Sequence, residues 1–292
     1  MDNINGKIKQ YRTMHFHLNN ARISQLSIVI ILSLVLVVGV GFVMKKNVKK
    51  IYILGDSTVA NYALEEDYQK KRFPQMGWGQ VFQDFMQSDS LRNVPFLSHQ
   101  ETVIVDDRAK GGRSTRTFFQ EGRWRKVYDQ LNKGDVVLMQ FGHNDQSVQK
   151  VLRYVNVEGY KEFLRLYISQ TLQKGAFPIL ITPVNRNYPW IDGKLVSCHG
   201  EYPNAVKSVA KEFGIPCIDL TNLSLAHFTD KGQEYVSSKY FMNLAADKFE
   251  AYPKGIEDNT HFQVEGAYAV AQLVFNEFKQ IRMDTNKGIL LY

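Results

Sequence analysis

The chain is poor in cysteine. Its 292 residues include only Cys198 and Cys217, and no Cys-x-x-Cys pair occurs. A cysteine-built zinc or redox centre is therefore not expected. Cys217 lies in the apolar run Ile215-Pro-Cys-Ile-Asp-Leu220, which favours a core position, and a disulfide to Cys198 stays open. Other signatures are missing too. There is no Gly-x-x-x-x-Gly-Lys loop, no His-Glu-x-x-His helix and no Rossmann glycine pattern. No metal or cofactor is expected, and His15-x-His17, upstream of the apolar span described next, reads as incidental. Most of the chain also lacks an excess of either charge. The formal net charge is +7, but residues 1–50 hold eight of the 36 basic residues and one of the 29 acidic ones, which leaves 28 of each in 51–292. A neutral body argues against nucleic acid as a partner.

Only one long apolar run is present, Leu26–Met44, with no charge inside it. Its length suits one bilayer crossing of ~20 residues. It reads as a transmembrane anchor or a secretory signal. Gly39-Val-Gly41 offers a cleavage-like spacing, whereas Lys45, Lys46, Lys49 and Lys50 directly after it favour an uncleaved anchor. Four basic residues flank each side, so charge does not set the orientation. The expected layout is a tail at 1–25, a membrane or signal segment at 26–44, six linking residues Lys45–Lys50, and one domain at 51–285.

From Ile51 onward, short apolar runs alternate with amphipathic segments. Strands are expected at Ile51–Leu54, Thr102–Val105, Asp135–Phe141, Pro178–Val184 and Ile215–Leu220. Helices are expected at Trp78–Gln87, Glu158–Lys174, Tyr202–Phe213 and about Gly266–Ile281. In the second of these, Tyr160, Phe163, Leu164, Tyr167, Ile168 and Leu172 share a face. Alternation of this kind implies a parallel sheet covered on both sides. The expected fold is α/β: a flavodoxin-like three-layer α/β/α sandwich with a five-stranded parallel sheet.

In such sheets reactive groups gather at the carboxyl ends of the strands. Three expected strands end in marked loops: Gly55-Asp-Ser57, Gly111-Gly-Arg-Ser114 and Gly142-His-Asn-Asp145. A fourth marked stretch, Asp258-Asn-Thr-His261, precedes the last helix. A serine that attacks a carbonyl needs an imidazole to accept its proton, an acid to orient that imidazole, and donors for the oxyanion. Asp258 and His261 are spaced for the first two needs across a tight turn. The Gly112 N–H and the Asn144 amide can supply donors. Each element has an ordinary reading: Gly-Asp-Ser as a turn and cap, Gly-Gly as a turn, Asn144 as a cap, Asp-x-x-His as surface loop. Their joint order is what points to chemistry. The Gly-x-Ser-x-Gly elbow is absent, because Val59 stands where its second glycine would be.

The order Ser…Gly…Asn…His resembles the SGNH, or GDSL-type, hydrolase superfamily, and within it the rhamnogalacturonan acetylesterases. The likeness spans 51–282 and runs through GDSTVANY, GWGQ, AKGGRSTRTFFQEGRW, GDVVLMQFGHND, TPVNRN, HGEYPNAVKSVAKEFGIPCIDLT and EDNTHFQVEGA. It implies Ser57 as nucleophile, with Asp258 and His261 completing a triad. The Ser57 N–H, Gly112 N–H and Asn144 amide would form the oxyanion hole. The N-terminal span departs from the family pattern, since such enzymes are usually secreted free. The resemblance also implies removal of O-acetyl groups from a pectic polysaccharide or oligosaccharide, by a domain on the non-cytoplasmic side. Esterases acting on xylan, peptidoglycan acetyl groups or lipid are the alternatives, as is a tethered carbohydrate-binding protein without turnover. Expected substrate-binding residues are Arg113, His143, Arg186 and Trp190. Tyr188, Trp78 and Trp124 are further candidates for stacking on sugars.

Overall fold

A computed structural model describes residues 48–100, 102–284 and 289–291. The expected tail and apolar span lie outside the described residues. Among the described residues no helix is long and apolar enough to cross a membrane.

The central sheet is built from β1 (Val48–Gly55), β2 (Thr102–Asp107), β3 (Val136–Gln140), β4 (Phe177–Ile181) and β7 (Cys217–Ile218). Its order is β2-β1-β3-β4-β7 and every pairing is parallel. This is the flavodoxin-like order, with the change of winding direction between β1 and β3. Two short antiparallel ribbons are appended: β5 (Trp190–Ile191) with β6 (Lys194–Leu195), and β8 (Phe241–Leu244) with β9 (Ile256–Phe262).

Alternate residues of each central strand enter opposite layers. Ile51, Ile53, Val136, Leu138, Ile179 and Ile181 pack on one side with Trp78, Phe82 and the last helix. Tyr52, Leu54, Val137, Met139 and Leu180 pack on the other. Burial on both faces is why these strands are continuous apolar runs. The main helices are α1 (Thr115–Gln120), α2 (Val157–Gln173), α3 (Tyr202–Phe213), α4 (Leu220–Lys231) and α5 (Val264–Phe278). The sides of α2 and α3 that face the sheet carry Tyr160, Leu164, Tyr167, Ile168, Val206 and Val209. Those of α5 carry Ala267, Val270, Ala271, Val274 and Phe278 on the opposite layer. Asn156 caps α2 by accepting from the Gly159 N–H, and Gly214 ends α3 in a left-handed conformation.

Several expected boundaries move. β1 begins at Val48, so Lys49 and Lys50 are strand residues and not linker. The Lys50 N–H donates to Asp135 Oδ1 at 3.0 Å, and Lys49 Nζ to the Lys133 carbonyl at 2.8 Å. β7 shrinks to two residues because Asp219 already caps α4, its side chain accepting from the Asn222 N–H. The segment expected as one helix from Trp78 is a single α turn, Trp78–Val81, continued as 3-10 helix to Met86. Leu172 does not share the buried face of α2. It is 38% exposed against 1% for Leu164, because the last turn carries it to the rim of a groove beside Gly175. Both cysteines are free thiols; Cys217 is half-buried against the layer of α2 and α3.

Leu164→Ala should therefore cost about 2–5 kcal/mol of stability, the range for emptying a buried leucine site. Leu172→Ala should cost under ~1 kcal/mol. Urea denaturation of the two variants checks this, and equal losses would contradict the placement of α2.

Candidate active site

Gly55 closes β1 beside Gln140 of β3. A Cβ on Gly55 would lie 2.7 Å from the Gln140 carbonyl oxygen and 2.6 Å from Val59 Cγ2, so the strand must end in glycine. Asp56 follows and is fully buried. Its Oδ1 accepts from the Thr58 N–H at 3.0 Å and the Thr58 hydroxyl at 2.9 Å. Its Oδ2 lies 3.2 Å from His143 Nδ1. Gln140 Nε2 donates to Thr58 Oγ1 at 2.8 Å, while Gln140 Oε1 accepts from Trp78 Nε1 at 2.9 Å. The network holds the turn from below, and Tyr62 Oη donates to the Ser57 carbonyl at 3.0 Å from the side. Ser57 is thus recessed, 9% exposed on the lining of a cavity.

The Asp258–His261 pair forms as expected, by a different local route. These residues lie in β9, not in a free loop. Phe262 pairs with Phe241 and Asp258 with the next residue, Met242, so Asn259-Thr-His261 are extruded from the ladder as a bulge. Inside it, Asp258 Oδ1 accepts from the Thr260 N–H at 2.8 Å and the His261 N–H at 3.1 Å. Asp258 Oδ2 is 2.6 Å from His261 Nδ1. Burial alone would raise the Asp258 carboxyl; the bond and charge of His261 and these N–H donors outweigh it and hold it below its ordinary value. An ionised Asp258 takes the Nδ1–H and leaves Nε2 as the lone-pair nitrogen. Asn259, which sequence reasoning missed, anchors the bulge: its carbonyl accepts from the Asn187 N–H at 2.9 Å, and its side-chain oxygen accepts from Asn187 Nδ2 at 2.8 Å.

Gly112 has φ +79°, a backbone state that glycine adopts without strain. Asn144 Nδ2 donates to the Arg113 carbonyl at 3.0 Å, and Asn144 Oδ1 lies 3.4 Å from Arg153 Nη1. That fixes the plane of the amide and leaves it a second N–H. Ser57, Gly112, Asn144, Asp258 and His261 all line one open cavity of about 510 Å³.

The expected substrate-binding residues divide. Arg113 and Arg186 line the cavity. His143 forms part of its wall, but the ring is buried and bound to Asp56, so it supports the Ser57 turn. Burial lowers its pKa, Asp56 opposes the fall, and Arg186 and His261 add to it. Trp190 is not on the lining: its ring packs on the core, and Nε1 donates to Asn187 Oδ1 at 3.0 Å. Trp78 and Trp124 are buried and cannot stack on a sugar. Tyr188 is exposed, with the Arg186 guanidinium 5.9 Å from its ring centroid. Arg72, Lys110, Lys150 and Arg153 also line the cavity and were missed, since nothing local to their sequence marks them. Among the described residues no group of three or more His, Cys, Asp or Glu could hold a metal ion.

A recessed serine sharing a cavity with a carboxylate-oriented imidazole, at the switch point of a flavodoxin-like sheet, defines an SGNH-type ester hydrolase. The model of the GDSL-like Lipase/Acylhydrolase family matches residues 53–268, so the chain belongs to that family and is a carboxylic ester hydrolase. It is 35% identical over 238 residues to the rhamnogalacturonan acetylesterase RhgT of Bacillus subtilis (strain 168), covering 82% of this chain and 92% of that one. It is 37% identical over 241 residues to the probable rhamnogalacturonan acetylesterase YesY of the same strain, covering 82% and 97%. Among solved structures, the YxiM protein of B. subtilis superposes with a TM-score of 0.63 at 28% identity, over 80% of this chain and 56% of that chain.

One titration follows from the floor of the site. Asp145 is buried; its Oδ1 accepts from the Thr115 N–H at 2.9 Å and the Thr115 hydroxyl at 2.6 Å, at the start of α1. Burial pushes this carboxyl from 3.8 up to about 7; the Thr115 bonds oppose the rise and the Asp56 charge adds to it. The folded state then binds more protons than the unfolded chain between those two values. The stability due to this group is fully present below the unfolded value and is lost as pH rises through the folded one. Asp145→Asn should flatten that fall in denaturation midpoints measured from pH 4 to about 8. A variant with the wild-type slope would show that Asp145 is ionised throughout.

Proposed function

We propose that the enzyme removes O-acetyl groups from a pectic polysaccharide such as rhamnogalacturonan. The observation that carries the reading is the convergence of Ser57, Gly112, Asn144, Asp258 and His261 on one polar cavity, in a chain more than one-third identical to RhgT and YesY. Ser57 Oγ attacks the acetyl carbonyl as His261 Nε2 takes its proton. The oxyanion accepts from the Ser57 and Gly112 N–H groups and the free N–H of Asn144. The tetrahedral intermediate collapses, the C–O bond to the sugar breaks, and His261 returns the proton to the leaving sugar oxygen. Water, deprotonated by His261, then cleaves the acetyl-serine to acetate. Asp258 stays ionised and holds the imidazolium. A lipid acyl chain suits the cavity poorly, because Ile256 is the one aliphatic side chain on its lining.

Acetate release from acetylated rhamnogalacturonan, against acetylated xylan, tests the substrate. Ser57→Ala should fold and release none. Asn144→Ala should lower kcat by roughly 10²–10³ with a smaller change in KM, and Asp258→Asn should lower it by ~10⁴. A raised KM at unchanged kcat in Asn144→Ala would make Asn144 a binding residue instead. Ser57→Ala at wild-type rate would overturn the mechanism.

An intact wall polysaccharide does not enter a cytoplasm, so the same reading puts this domain on the non-cytoplasmic side. Protease added to intact cells, or to spheroplasts where an outer membrane is present, should then digest it. A domain protected until the inner membrane is broken would point to imported oligosaccharides.

A further inference from the structure

A second open groove, of about 540 Å³, lies at the amino ends of the strands, remote from Ser57. Lys49 near the start of β1, Gly134 before β3, and Gly175, Ala176 and Phe177 at the start of β4 line it, with Phe96, Leu97, Leu172 and Met283. Leu97 is a core residue, and Phe96, Phe177 and Met283 pack on the same core layer, so the groove opens the edge of that layer. Leu172 stands exposed at its rim.

The polar part of the lining is cationic. Lys49 and Lys133 are on it, and no carboxylate is. Among the described residues neither lysine has a carboxylate within ion-pair distance. Lys49 Nζ donates to the Lys133 carbonyl at 2.8 Å. Both stems lie along glycines. Lys49 Cε is 3.2 Å from where a Cβ on Gly134 would sit, and Lys133 Cγ is 3.2 Å from that position on Gly175. Long lysines laid over apolar surface, with their ammonium groups at its rim, suit a boundary between an apolar and a charged phase.

Position along the chain says which boundary. The apolar run ends at Met44, and only Lys45-Lys-Asn47 stand between it and Val48, the first residue of β1. Fully extended, the steps from Met44 to Val48 span at most ~14 Å. A bilayer that takes up the run is therefore within that reach of the strand ends that form the groove. Lys45 and Lys46 add two more cations at this end of the sequence, and an anionic lipid surface attracts each basic residue near it.

We propose that this groove docks on the bilayer surface. An acyl segment of an anionic phospholipid lies between Phe96, Leu172, Phe177 and Met283, with Lys49 and Lys133 at its phosphate. Lys49 and Gly55 are six residues apart on β1, which is ~20 Å of strand. Docked in this way, the domain turns the cavity of Ser57 away from the lipid. The docking does not depend on which ester is cleaved.

The test uses the full chain with Cys198→Ser and Cys217→Ser, reconstituted in vesicles of phosphatidylcholine with or without phosphatidylglycerol. A fluorescent probe is placed on Leu172→Cys or, near the Ser57 cavity, on Leu152→Cys, both exposed positions. In the anionic vesicles, nitroxide-bearing lipid should quench the probe at 172, and aqueous iodide the probe at 152. Added salt should weaken the lipid quenching. Lys49→Gln with Lys133→Gln should lower the ratio of docked to undocked chains at least about tenfold, while hydrolysis of an aryl acetate stays unchanged. Equal lipid quenching at 172 and 152 would overturn the docking, as would a chain that does not float with the anionic vesicles. Quenching at 172 that ignores lipid charge would overturn the phosphate contact. A probe at 172 shielded from both quenchers would show the groove filled by protein, either this chain or a second copy, and would also overturn it.

Discussion

The Asp56 carboxylate is fully buried one residue before Ser57, where an unpaired charge would cost roughly several kcal/mol. Burial raises its pKa, but the charge and bond of His143, with the N–H and hydroxyl of Thr58, outweigh that and hold it below its ordinary value. Satisfying this one group recruits much of the site. Thr58 comes from the Ser57 turn itself, and His143 from the loop that also supplies Asn144. Gln140 links Thr58 to the indole of Trp78. A tryptophan that could have served as a sugar platform is thereby a buried donor. Ser57 and Asn144 are thus held by one hydrogen-bonded core, in which His143 Nε2 is the ring nitrogen left without a partner among the described residues.

The second half of the site is set by β-structure. An Asp-x-x-His spacing alone lets the carboxylate reach the ring in many loop shapes. Here the ladder between β8 and β9 grips Asp258 and Phe262 and forces the three residues between them outward. The Oδ1 bonds to two backbone N–H groups make that carboxylate part of the turn, so Oδ2 presents to Nδ1 in one orientation. The Asn187–Asn259 contacts then tie the bulge to the chain leaving β4. The division of labour is clear: the Asp56 network fixes the serine side, and the bulge fixes the imidazole side.

The charge of the cavity has a different origin from the charge of the chain. Lysines and arginines are spread through 51–292 and balanced there by equal numbers of acids. Folding sorts them, turning Glu121 away to hold Arg113 while Lys150, Arg153 and Arg186 face inward. The groove at the other end of the sheet, between Phe96, Leu172 and Phe177, has Lys49, Gln100 and Lys133 as its polar lining and no carboxylate, histidine or serine on it.

The sequence by itself determined the class of fold and marked five residues that the structure brings to one cavity. Continuous apolar runs, as in Ile51–Leu54, can be buried only between two covering layers, and residues that end such strands must lie on one edge. Gly55-Asp-Ser57, Gly112 and Asn144 were legible for that reason, and Asp258-x-x-His261 by its spacing alone. Helix faces read from periodicity held for Tyr160, Leu164 and Tyr167 but failed at Leu172, because period says which side a residue is on and not where the neighbouring layer ends. Tertiary structure alone decided which polar residues became supports and which became lining. Trp190, His143 and Trp78 look as able to touch a sugar as Arg186 does, until their hydrogen bonds to Asn187, Asp56 and Gln140 are seen. Arg153 and Lys150 are marked by no motif. They reach the site because contacts across the fold bring their loop back over Gly112, and such long-range pairings leave no periodic trace in the chain.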